Sequence, residues 1–182
     1  MHMCACAIIG GLSSHGWTLA PTAATSAQLT EETPMFAGEF RVHAEAGSLF
    51  RLPPIVLAAF SPPQEGASRQ VILFKSLDHS LWLYQTQSWE ARLEATRQQL
   101  DDYQSRLLMH YVVAESVHAE LDVHGRLPIP NALRTYADIT TEVVLIGLYE
   151  RIELWSPTRW ETYLSGLEDR HEMVLGKILD LL

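Results

Sequence analysis

Cysteine is scarce in this chain, with two residues in 182, and both, Cys4 and Cys6, lie in a low-information opening segment. A C-x-C pair without further Cys or clustered His supplies too few ligands for a closed zinc site, and a core without cysteine suits a reducing, intracellular location. Basic residues are also few: 13 Lys and Arg against 22 Asp and Glu give a formal net charge of −9. Binding to nucleic acid by bulk charge is thereby disfavoured, so any such contact must come from a local patch. The first Lys or Arg is Arg41, which leaves the opening segment without the basic n-region of a secretory signal. No apolar run reaches the roughly 20 residues of a membrane span, because Gly11, Ser13, Ser14, His15 and Pro21 interrupt the longest one. Missing too, from residue 35 onward, are a glycine-rich phosphate loop, a Ser-His-Asp order and a cysteine nucleophile, so no catalytic residue, cofactor or small-molecule substrate is expected.

What is present is an internal repeat. "VILFKSLDHSLWLYQTQSWEARL" (71–93) and "EVVLIGLYERIELWSPTRWETYL" (142–164) align without a gap at an offset of 71, matching Leu77 with Leu148, Leu83 with Leu154, Trp89 with Trp160 and Glu90 with Glu161. Each copy predicts two strands and a helix. The runs "VILF" and "VVLI" are continuous and branched, as buried strands are, and "LWLY" and "IELW" follow a short turn as hairpin partners. Helices are expected from about Thr86 and from Ser156-Pro157, a Ser cap followed by Pro at the first helical position; Thr158 and Glu161 add capping-box spacing. The first helix is expected to continue through "TRQQLDDYQSRLLMHYVV" on a seam of Leu93, Leu100 and Leu107. A separate final helix is expected at "HEMVLGKILDLL".

Upstream, "LFRLPPIVLAAF" (49–60) is similar to "HGRLPIPNALRTY" (124–136), which sets Arg51 beside Arg126. In "DVHGR", Gly125 can take positive φ and Asp122 can bond nearby N–H groups, so a tight strand connection is expected there, with Leu127 and Ile129 pointing inward. Pro128 and Pro130 suit a strand edge or the entrance to a short helix. On spacing alone Asp122 and Arg126 form a surface ion pair worth about 0–1 kcal/mol. Trp82, Trp89, Trp155 and Trp160 are expected in core or subunit packing. His110, Glu115 and His118 lack the spacing of a helical zinc site and are expected on the surface. "SPPQEGAS" (61–68) is expected to be a loop.

"MFAGEF" at 35–40, the D-x-x-x-R turn from Asp122 to Arg126 with "GRLPIP", and "LIG…RIELWSPTRWETYL" together resemble the MraZ family of bacterial transcriptional regulators. The resemblance covers residues 35 to 165. It implies an α+β fold in which two tandem AbrB-like swapped-hairpin repeats form a small β-barrel-like core with flanking helices. The division expected is 1–34 as an extension, disordered or from a start codon assigned too early; 35–107 as the first repeat with its helix; and 108–182 as the second with the C-terminal helices. Gly47, four residues before Arg51, stands where an Asp is expected, so the first motif is degenerate. In the second, His124 replaces a common Lys or Gln.

The resemblance further implies a cytoplasmic, nucleoid-associated protein that binds double-stranded DNA as a ring-like homo-oligomer, on direct repeats upstream of cell-division and cell-wall genes. The expected DNA-binding residues are Arg126, Asp122, His124, Gly125 and, more weakly, Arg51, with Arg41 and Arg134 as neighbours. The competing reading is an AbrB-like antitoxin-type or degenerate paralogue that acts as a protein interaction module.

Overall fold

The computed structural model describes residues 36–46, 48–60 and 69–179, excepting the side chains of 168–170, 172, 173, 175 and 177. The opening segment, with Cys4 and Cys6, Gly47 and the 61–68 stretch lie outside the described residues. Among the described residues, eight strands and five α-helices run as two ββαββα passes. The first holds β1 (Phe36–Glu45), β2 (Leu49–Arg51), α1 (Pro54–Ala59), β3 (Arg69–Lys75), β4 (Leu81–Gln85) and α2 (Thr86–Arg97). After α3 (Asp102–Leu107) and a π-helical turn over Leu108–Val113, the second holds β5 (Val117–Leu121), β6 (Arg126–Pro128), α4 (Asn131–Tyr136), β7 (Glu142–Tyr149), β8 (Arg151–Trp155) and α5 (Pro157–Leu179).

All eight strands form one antiparallel sheet in the order β5-β3-β4-β8-β7-β1-β2-β6. Its two ends, β5 and β6, are joined by the four-residue turn 122–125, where the Asp122 N–H donates to the Arg126 carbonyl at 3.2 Å. The sheet thus curls into a nearly closed barrel, the α+β architecture with a barrel-like core. Closure leaves few unpaired edges for another strand to join.

The two passes exchange strands. β1 of the first pairs along its length with β7 of the second, from Phe36 opposite Tyr149 to His43 opposite Glu142. β5 of the second pairs with β3 of the first, and β2 pairs with β6. The pairing is symmetric at both poles of the barrel. Leu81 corresponds in the repeat to Ile152 and Leu83 to Leu154, yet Leu81 pairs with Leu154 and Leu83 with Ile152, so an approximate two-fold passes between Trp82 and Glu153. At the opposite pole Leu49 pairs with Pro128 and Arg51 with Arg126, about the central pair Phe50 and Leu127.

Alternation on the strands fills the barrel. Phe50, Leu52, Val71, Leu73, Leu81, Leu83, Leu127, Val143, Leu145, Ile152 and Leu154 are almost wholly buried in one cluster; each large aliphatic among them contributes about 1.5–3 kcal/mol by leaving water. The outer faces carry two smaller clusters under the helices. Ile72, Phe74 and Tyr84 lie beneath Trp89 of α2, while Val144, Ile146 and Trp155 lie beneath Trp160 of α5. Trp89, Trp155 and Trp160 are therefore core residues. Trp82 is half-buried, with the Arg151 guanidinium 4.0 Å above its ring, and Arg151 also donates to the buried Glu153.

Three local expectations are corrected. The first long helix does not run on past Arg97: Asp101 caps a new helix, accepting from the Gln104 N–H at 2.8 Å while the Gln104 side chain accepts from the Asp101 N–H, a reciprocal box that starts α3 afresh. At α5 the capping hydroxyl is that of Ser156, which accepts from the Arg159 N–H at 3.4 Å. Thr158 is already inside the helix, and Glu161 bonds Arg41 instead. The final helix is not separate, since α5 is continuous over 23 residues.

Candidate functional site

At the Phe50–Leu127 pole, two strand turns lie side by side. The second is built by Asp122. Its Oδ1 accepts from the backbone N–H of His124 at 2.8 Å and of Arg126 at 2.9 Å, its Oδ2 accepts from Arg126 Nε at 2.5 Å, and its carbonyl accepts from the Gly125 N–H at 2.9 Å. Gly125 suits this turn by its backbone conformation. Its φ is +73°, a conformation costly for residues with a side chain, and a Cβ there would also require the Leu57 side chain of α1 to shift. The four-residue spacing of Asp122 and Arg126 is thus the span of one tight turn, read correctly from the sequence. The backbone N–H of Arg126 is the leading cause that lowers the Asp122 carboxyl to about 2, reinforced by the Arg126 guanidinium and the His124 N–H and opposed by partial burial.

The structure changes the correspondence of the first turn. Helices α1 and α4 begin at 54 and 131, strands β2 and β6 at 49 and 126, and Pro53 and Pro130 precede the helices with the same extended conformation, an offset of 77. Matching Arg-Leu to Arg-Leu gave 75. At 77, Asp122 corresponds to Glu45, Gly125 to Ser48 and Arg126 to Leu49. Backbone geometry agrees: Ser48 has φ +61°, and its N–H donates to the Glu45 carbonyl at 3.2 Å, as Gly125 does to Asp122. The carboxylate sought at Gly47 is therefore supplied by Glu45, and the guanidinium has moved two residues along the same strand face, to Arg51.

Glu45 joins the two turns. Arg51 donates to it through Nε at 2.7 Å and through Nη2 at 3.4 Å, and Arg126 Nη1 lies 3.7 Å from its Oε2. Arg51 and Arg126 are direct cross-strand partners, about 5 Å apart at Cα. Their side chains are 51% and 31% exposed, so both remain reachable from solvent while anchored. Hydrogen bonding from Arg51 lowers the Glu45 carboxyl and raises the Arg51 guanidinium in return. Two guanidiniums and two carboxylates balance in formal charge.

Of the other expected residues, His124 is exposed at the turn's tip beside Val123. Arg134 lines a polar hollow with Glu45 and Ser48, and its Nη2 donates to Asn131. Arg41 does not join the group; it pairs with Glu161 and Glu39 near α5. His110 and His118 are exposed. Among the described residues, no group of three or more His, Cys, Asp and Glu is placed to hold a metal ion, and no helix is long and apolar enough to cross a membrane. Sequence reasoning missed Glu45. The signal available was a carboxylate ending a strand four residues before the first residue of the next strand, and the two-residue shift of the arginine concealed it.

A strand-exchanged double repeat whose two turns meet as paired arginines and carboxylates defines the class: a tandem swapped-hairpin barrel with a charged pole. The family profile described as "MraZ protein, putative antitoxin-like" matches residues 112–173, the span from the π-helical turn into α5. The chain is 32% identical over 149 residues to the transcriptional regulator MraZ of Halothermothrix orenii, covering 81% of this chain and 99% of the relative. It is 33% identical to that of Desulforamulus reducens (81% and 100% covered) and 34% identical to that of Acetivibrio thermocellus (74% and 90%). This chain belongs to the MraZ family of transcriptional regulators.

Proposed function

We propose that the protein is a sequence-specific, double-stranded-DNA-binding transcriptional regulator of the MraZ type, acting in the cytoplasm at the nucleoid. The observation that carries this reading is the cross-strand pair Arg51, exposed, and Arg126, half-buried, set together at one pole and oriented by Glu45 and Asp122. A guanidinium presents two donors that match the O6 and N7 acceptors of guanine, and its anchoring reduces the freedom lost on binding. Asp122 and Gly125 shape the turn, and the His124 ring is exposed at the tip.

One such pole offers few contacts. A ring-like homo-oligomer presenting several to direct repeats, as the family resemblance implies upstream of cell-division and cell-wall genes, multiplies them and offsets the acidic net charge. On this reading the protein works by binding alone, with no cofactor or small-molecule substrate. The second reading, an antitoxin-type or degenerate protein interaction module, is favoured by the internal charge balance of the pole and predicts a protein partner retained without DNA.

Fluorescence anisotropy with duplex DNA carrying spaced direct repeats, and with a scrambled duplex, at two salt concentrations decides between them. The wild type is expected to prefer the repeats and to weaken as salt rises. Arg126→Ala is expected to lose about tenfold or more in affinity, since one base-reading arginine is worth about 1–3 kcal/mol and the loss recurs at each subunit. Equal binding by Arg126→Ala and wild type overturns the assignment.

A further inference from the structure

We propose that Glu45 is a specificity-determining residue of the charged pole: it holds Arg51 and Arg126 so that they accept a neutral base edge and resist nonspecific attachment to phosphate. The inference rests on the DNA-binding reading above.

The two carboxylates are not equivalent. Asp122 is used within its own turn, with two backbone N–H groups and one guanidinium on it. Glu45 is shared between the arginines of both turns, with Arg51 Nε at 2.7 Å and Arg126 Nη1 at 3.7 Å. Removing the Glu45 charge leaves two guanidiniums facing one carboxylate, and the pole becomes cationic.

Geometry separates the two ways an arginine can meet DNA. Both guanidiniums are anchored through Nε, Arg51 on Glu45 and Arg126 on Asp122. This fixes the side edge of each, and Arg51 Nη2 at 3.4 Å and Arg126 Nη1 at 3.7 Å are also drawn toward Glu45, so a guanine edge with its O6 and N7 acceptors meets guanidiniums already held in place. A phosphate gains from the same donors, but it carries a full negative charge and must approach two fixed carboxylates. Nonspecific affinity comes almost entirely from phosphate neutralisation, so a carboxylate shared by both arginines suppresses that term selectively. The lowered Glu45 carboxyl keeps it charged throughout the neutral range.

The test uses the full chain as wild type, Glu45→Gln, the net-charge control Glu90→Gln, and Glu45→Gln combined with Arg51→Ala. Affinity for repeat-bearing and scrambled duplexes is measured across a salt series, with thermal melts to establish folding. Glu45→Gln is expected to bind the scrambled duplex about tenfold more tightly at low salt and the repeats by a smaller factor, with a salt slope steeper by about one to two phosphates. Glu90→Gln should follow the wild type, and Arg51→Ala should reverse the gain. A folded Glu45→Gln protein with unchanged salt slope, or one weakened equally on both duplexes, overturns the proposal. If the wild type binds no DNA while Glu45→Gln does, the suppressing role stands and the operator reading falls. If neither binds, both fall.

Discussion

Asp122 shows how one side chain can set a turn, an arginine and a pH response together. Its oxygens collect the backbone N–H groups of His124 and Arg126 and the Arg126 guanidinium, all of which favour the ionised form. The folded carboxyl titrates at about 2, below its ordinary 3.8, so the native state binds its proton less readily than the unfolded chain. The resulting stabilisation is fully present above pH 3.8 and is lost as the pH falls toward 2. In denaturant titrations the midpoint gap between wild type and Asp122→Asn is therefore expected to hold constant from neutrality to about pH 4 and to close between pH 4 and 2. A gap that persists undiminished at pH 2 would show that the turn, rather than the ionised carboxylate, carries the effect.

Among the elements, strand exchange decides what can fold alone. Within the second pass only β7 and β8 pair with each other; β5 finds its sheet partner in β3 and β6 in β2, while β7 has β1 and β8 has β4 on the other side, all from the first pass. Separated from these, residues 108–182 would expose Ala119, Leu121, Leu127, Val143 and Leu145, whose burial is what drives the barrel to close. The approximate two-fold offers one substitute, a second copy of the same half occupying the place of the first. The fragment 108–182 is accordingly expected to be unfolded as a monomer and to gain structure only as a two-chain assembly or on mixing with residues 35–107. Circular dichroism with sedimentation across a concentration series checks this. A folded, monomeric fragment would mean that the exchanged strands are dispensable.

For the molecule as a whole, the described side chains of α5 raise the question of what covers its second half. Its 23 residues span about 35 Å, and among its described side chains Trp160 and Leu164 in the first turns belong to the outer cluster. Further along, Val174, Ile178 and Leu179 are 54%, 50% and 67% exposed. A homo-oligomer gives such apolar positions a surface to meet, whereas a monomer leaves them in water. Val174→Asp combined with Ile178→Asp is expected to reduce the mass seen by light scattering while the far-ultraviolet dichroism of the barrel is retained. An unchanged mass would overturn the assignment of this face to a contact between copies.

Much of this architecture is written in local sequence signals. The branched runs at 71–74 and 143–146 became β3 and β7, Ser156-Pro157 opened α5, and Gly125 with Asp122 made the turn before Arg126. These features rest on φ preferences, capping and alternation within a few residues, so a single sequence carries them. The break after Arg97 was legible too, in Asp101 and Gln104, but the leucine spacing argued for continuity and the cap prevailed. Which strand lies beside which was decided only by tertiary structure. β1 meets β7 and β2 meets β6 across long stretches of chain, where closure of the barrel, not any local preference, selects the pairing. The same pairing fixed the offset of 77 that makes Glu45 the counterpart of Asp122 and sets it between Arg51 and Arg126. Positive φ at a serine and an arginine displaced by two residues leave no local trace of that correspondence, because only the two-fold packing of one repeat against the other brings the two turns together.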